Sequence, residues 1–152
     1  MRRMIAALVA VVAPWGDPAV AATPGQMAEI RAGASNAKSE CEPLIHFDTL
    51  AFEPCVGALV DQARRTPHVQ LGMLYAGYVS ALHYAHGGLP GARQTAWRFL
   101  QRLSPLQRRL EVDGRALCET LPGNCEIRVA ATEAMLKAGP PPPGRIPQPH
   151  RH

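Results

Sequence analysis

Apolar residues along this chain recur at three- and four-residue spacing, the period of a helix with one buried face. The longest stripe runs through Leu71, Leu74, Tyr75, Tyr78, Val79 and Leu82. Thr66-Pro67 opens it with proline at a first helical position, and Gly87-Gly88 closes it as a C-cap. Gly72 and Gly77 lie inside the stripe, each at a cost of about 1 kcal/mol against alanine. Glycines in such places mark the close approach of another backbone. A second stripe, Val56, Leu59, Val60 and Ala63, follows Pro54. A third, between Pro90 and Leu103, carries Ala96, Trp97, Leu100 and Leu103, with Trp97 as its expected core anchor.

Weaker elements flank these. Thr23-Pro24 with Gln26 is a capping-box start. The helix behind it has only Met27 and Ile30 as large apolar residues, and Gly33 interrupts it. Ser39 with Glu42 repeats the box before Leu44, Ile45 and Phe47, but Pro43 makes that element short or irregular. Ser104-Pro105 with Gln107 restarts the chain ahead of a face of Leu106, Leu110 and Leu117. Asn124 is an N-cap for a last helix, with a face of Ile127, Ala130, Ala131, Ala134 and Met135. Gly139 and the prolines at 140–143 stop it. No segment combines period-two alternation with β-branched enrichment, so no strand is expected. The pattern predicts an all-α domain, residues 23–138, as a small bundle of about five helices. Residues 139–152 form a Pro-rich tail, expected to be disordered or extended.

The first 22 residues fit none of this. Arg2 and Arg3 precede an apolar run from Met4 to Ala13, a helix-breaking Pro14 to Pro18, and the small residues Ala19 to Ala22. That is the form of an export signal, cleaved near Ala22. The run falls short of the roughly 20 apolar residues that cross a bilayer, so no stable membrane span is expected. The predicted location is the periplasm or the medium. Arginine makes up nearly all the basic residues and alanine and proline are abundant, which reads as a GC-rich bacterial genome.

The formal charge of +4 overstates the basicity of the fold. Arg2, Arg3 and Asp17 belong to the leader, and Arg145 and Arg151 to the tail. That leaves 12 basic and 11 acidic side chains in residues 23–138. Arg64-Arg65 and Arg108-Arg109 are pairs on solvated faces and make no basic stripe, so a nucleic-acid partner is not expected.

Four cysteines, Cys41, Cys55, Cys118 and Cys125, fall in the predicted domain. An even count in an exported chain argues for two disulfides. Their gaps of 14, 63 and 7 positions contain no Cys-x-x-Cys, which weighs against structural zinc and against haem attachment. Pairing of the 41/55 region with the 118/125 region is favoured. It would close loops of roughly 60–80 residues, worth about 4–5 kcal/mol each by chain entropy. Local pairing, Cys41–Cys55 with Cys118–Cys125, stays open because Pro122-Gly123 can turn the chain back.

Motifs of catalysis are missing from the sequence: no Gly-x-Ser-x-Gly, no His-Glu-x-x-His, no phosphate loop and no dinucleotide fingerprint. No cofactor and no metal are expected. His83 and His86 sit three apart near the end of the best helix. Metal ligation is the sharp reading of that spacing. The plainer one is favoured, that histidines complement the negative end of a helix. Tyr75 and Tyr78 belong to the apolar stripe, whereas Tyr84 falls off it. Tyr84, with His83 and His86, is therefore the candidate partner-binding set. His150 and His152 read as solvated end residues.

Several patterns resemble known families. Cys41-Glu42 with Leu44 or Ile45 and Asp48, then Tyr75-Ala76-Gly77-Tyr78-Val79, Cys118, Pro122 and the alanine-rich 130–134, is similar to HdeA-type periplasmic acid-stress chaperones. Cys55-Val56-Gly57-Ala58-Leu59 and Trp97-Arg98-Phe99-Leu100 through Pro105, Arg108-Arg109 and Pro122 resemble Tai-type immunity proteins of type VI secretion. Four cysteines depart from the two-cysteine chaperone pattern. The second resemblance implies a small, helical, disulfide-bonded periplasmic protein that blocks a cell-wall amidase. The function expected is that of an exported, non-enzymatic binding protein, foremost an immunity or inhibitor protein against a cell-wall-hydrolase toxin. An acid-stress chaperone for acid-unfolded clients is the alternative, and a metal-carrier or accessory subunit the third. A second copy of the chain, in a homodimer, is a further candidate partner.

Overall fold

The computed structural model describes residues 22–47 and 49–142. The expected leader, apart from Ala22, lies outside the described residues, as do Asp48 and the expected tail from 143. Among the described residues there are seven helical segments: α1 (Pro24–Cys41), α2 (Leu44–Phe47), α3 (Thr49–Gln62), α4 (Pro67–His86), α5 (Ala92–Leu110), α6 (Gly114–Cys118) and α7 (Cys125–Ala138). Five of them are 14 residues or longer, so the fold is the expected all-α bundle.

The punctuation works largely as written. The Thr23 hydroxyl accepts from the Gln26 N–H (3.1 Å), and the Gln26 side chain accepts from the Thr23 N–H (2.9 Å), a complete capping box. Asn124 accepts from the Ile127 N–H at 3.2 Å, and Asp113 caps α6 with two bonds of 2.9 Å. Gly87 caps α4. Ser39, by contrast, lies inside α1 and bonds the Asn36 carbonyl, so it caps nothing.

Two prolines do not break their helices. Pro54 lies inside α3 and Pro105 inside α5, so the expected restart at Ser104-Pro105 does not occur. A mid-helix proline removes the bond to the carbonyl four residues back, here those of Leu50 and Gln101. Both prolines and both of those residues are exposed, which leaves the freed carbonyls to water. Phe99, Leu100 and Leu103 are buried on the opposite face of α5 and hold the helix through the interruption. Phe99, 1 % exposed, is the anchor of α5, and Trp97 is only half-buried.

α4 is the centre of the bundle. It packs mainly on α1 and α5, and less on α3. Tyr75 and Tyr78 are buried within it, as its stripe predicts. Its crossing with α1 is made by missing side chains. A Cβ at Gly33 would overlap the Val69 carbonyl, and one at Gly72 the Ile30 carbonyl. Gly33 is therefore the point where α1 meets α4, not an interruption. Gly77 serves α5 in the same way, since a Cβ there would lie 2.7 Å from the Phe99 ring.

Both disulfides form, and both are local: Cys41–Cys55 and Cys118–Cys125, with Cα separations of 5.7 and 5.6 Å. The favoured long-range pairing is thereby corrected. The reason is local geometry. The four-residue α2 turns the chain between the end of α1 and the start of α3, and Pro122-Gly123 turns it between α6 and α7. Gly123 makes its turn at φ 142°, a region that other residues rarely enter. The shorter loops give about 3 and about 2.5 kcal/mol by chain entropy, less than long-range bridges would.

Gly72→Ala is expected to lower unfolding stability by about 2 kcal/mol or more in a urea titration, since backbone, not a movable side chain, blocks the added carbon. Glu111, the one non-glycine residue with positive φ (56°) among those described, closes α5. Glu111→Gly is expected to raise stability by about 0.5–1 kcal/mol in the same measurement.

Candidate functional site

The last two turns of α4 carry His83, Tyr84 and His86, and α7 lies alongside them. α7 is docked in an unusual way for a helix of 14 residues. Thr132 is its only fully buried residue. The Thr132 hydroxyl shares a 2.7 Å hydrogen bond with the Tyr78 hydroxyl and donates to the Arg128 carbonyl at 2.9 Å. The Tyr78 hydroxyl also reaches the Met135 sulfur at 3.7 Å. Of the expected apolar face, Ile127, Ala130 and Ala134 are turned out to solvent, with Ile127 68 % exposed, while Ala131 and Met135 are half-buried and Met135 packs against the core. The face turned inward is Cys125, Arg128, Val129 and Thr132. Polar anchoring overrides the apolar stripe, because a buried hydroxyl must be paired and α4 presents two tyrosines there.

Arg128 holds the start of α7. Its guanidinium donates to the carbonyls of Cys118 (3.4 Å), Leu121 (3.3 Å) and Pro122, and to the Tyr75 hydroxyl (3.4 Å). It thus satisfies the carbonyl end of α6 and braces the disulfide hairpin. Nothing local in the sequence distinguishes Arg128 from other helix-surface arginines, so its role is visible only in the fold. Burial pushes the Tyr78 phenol up to about 12, against the smaller opposing effect of its bond to Thr132. Burial also raises Tyr75, and the neighbouring Arg128 partly offsets it.

The three candidate side chains are placed apart. Tyr84 is half-buried, not exposed, because α2 covers it: its hydroxyl shares a 2.6 Å hydrogen bond with His46 Nε2. Its ring meets His46 and His83 edge-on, with centroids at 5.1 and 5.3 Å. His83 is exposed and lines a hollow of about 240 Å³ with Lys38 of α1, Glu42 at its C-cap, Ser80 of α4 and Arg128. His86 lines a different hollow, of about 610 Å³, on the α5 side of α7. Leu82, Ala131, Ala134 and Met135 wall this second hollow, the prolines at 140–142 close it, and Arg93 lies at its rim. The two histidines do not share a site. Among the described residues no group of three or more His, Cys, Asp or Glu converges, and no helix is long and apolar enough to cross a membrane.

No protein-family model, no curated protein and no solved structure matches the chain.

Tyr78→Phe is expected to cost about 0.5–1.5 kcal/mol at pH 7, the worth of one buried hydrogen bond. The raised phenol pKa gives wild type a second signature. The folded state keeps a proton that the unfolded chain loses near pH 10. The stability this confers is complete below pH 10 and is lost as pH rises through about 12. In urea titrations across that window the fall is expected to be shallower for Tyr78→Phe than for wild type.

Proposed function

We propose that the chain is an exported, non-catalytic protein-binding domain, and that it acts as an immunity or inhibitor protein on a cell-wall hydrolase. The observation that carries the reading is the outward face at the start of α7. Ile127 is 68 % exposed on a helix whose first turn is fixed by the Cys118–Cys125 bridge and by Arg128. An isoleucine kept in water forgoes about 1.5–3 kcal/mol of burial, which a partner recovers on docking. Because the covalent and hydrogen-bonded support exists before contact, little conformational freedom is lost in the complex. A partner seated on Ile127 would also cover Ala130 one turn on, and Asn124 at the cap supplies a polar edge.

The acid-chaperone reading has less support. Acid activation needs contacts that break as carboxylates protonate near pH 4. The groups that dock α7 are Tyr75, Tyr78, Thr132 and Arg128, and none of them is a carboxylate.

The test is reconstitution with a periplasmic cell-wall amidase encoded beside the gene. A stoichiometric complex and loss of amidase activity are expected. Ile127→Glu is expected to weaken the complex at least tenfold, with an unchanged thermal midpoint because the side chain is already in solvent. Hydrolase activity in the purified chain itself, with no inhibition of any neighbouring enzyme, would overturn the reading.

A further inference from the structure

The hollow between α4, α7 and the proline segment has walls and charges that the protein-binding reading does not use. We propose that it is a binding site for a medium-chain fatty carboxylate, with the aliphatic chain laid along α7 and the carboxylate at Arg93. The proposal is independent of a protein partner at Ile127.

The walls select the body of the ligand. Leu82 of α4 and Ala131, Ala134, Met135 and Ala138 of α7 make an apolar trench. From Ala131 to Ala138 it runs about 10 Å, at 1.5 Å per residue. The far side is closed by the prolines at 140–142, which the Gln94 side chain holds by donating to the Pro142 carbonyl at 3.2 Å. At about 610 Å³ the hollow is of small-ligand size. An extended peptide would need backbone partners. The helical walls spend their N–H groups internally, Gly139 donates to Met135, and the prolines have no N–H to give. A saturated chain asks for no hydrogen bonds.

The charges select the head. Among the described residues Arg93 and His86 are the only ionisable ones lining the hollow, and no carboxylate lines it. Among the described residues neither has a carboxylate within ion-pair distance. An anionic head on an apolar chain complements both halves of the trench.

The test is titration of the full chain with sodium decanoate below its micelle concentration, followed by calorimetry and by amide NMR. Saturable one-to-one binding is expected, with shifts centred on Ala131, Ala134 and Met135. 1-Decanol is expected to bind about tenfold more weakly or worse, and Arg93→Gln to weaken decanoate by a similar factor. Ala134→Phe, at an exposed position, is expected to fill the trench and abolish binding with an unchanged thermal midpoint. Absence of saturation, or binding indifferent to both substitutions, would overturn the proposal. So would equal affinity for decanol, or perturbation of the trench by an acidic tripeptide and not by decanoate. A concentration-dependent dimer abolished by Ala134→Phe would give the trench to a second copy of the chain, and would overturn it as well.

Discussion

Where α1 crosses α4 the side chains are missing. Gly33 faces the Val69 carbonyl and Gly72 faces the Ile30 carbonyl, so two main chains meet at a distance that no Cβ permits. The contact brings Ile30 and Ala34 to complete burial although α1 has few large apolar residues of its own. It also sets the axis of α4, and with it the position of every element that packs on α4. Gly77, five residues further along, lets the Phe99 ring in from the other side. α4 is thus clasped by α1 and α5 through absent carbons, and interiors at crystal-like density leave little room to adjust.

α7 contrasts with that arrangement. The glycine crossings are apolar and tight, whereas α7 rests on a hydroxyl pair, an arginine brace and a disulfide. It is the long helix with the fewest buried residues among the described elements, and it leaves a hollow on either flank of its contact with α4. A helix held by a few directional bonds can keep apolar residues in solvent without losing its place. That is why the exposed Ile127 and the two hollows gather around α7 and around the end of α4.

Much of the fold was legible because the signals were local. Thr23 with Gln26, Thr66-Pro67, Gly87 and Asn124 mark helix ends by bonds within three or four residues, and the α4 stripe announced its own burial. What the sequence did not disclose depended on partners far along the chain. Pro54 and Pro105 look like breaks until the opposite faces of their helices are seen to be buried. Trp97 outranks Phe99 in size, yet Phe99 meets the space left by Gly77. The Ile127 and Ala134 face of α7 has a better apolar period than the Thr132 face, but Tyr75 and Tyr78 decide which side turns inward. Of the candidate set, His83, Tyr84 and His86 share one helix end but not one site. Their division between two hollows, and the roles of Arg128 and Arg93, follow only from the placement of α7.

The order of the bridges has a consequence for how the molecule is made. Each joins cysteines that are consecutive along the chain, first Cys41 with Cys55 and then Cys118 with Cys125. An oxidant that couples thiols in order of emergence, from the amino end onward, makes the correct one of the three possible pairings at the first attempt. With the first pair closed before the second emerges, such an oxidant would leave no wrong partner to meet as a free thiolate. A chain oxidised in that order would need no reshuffling of its bridges.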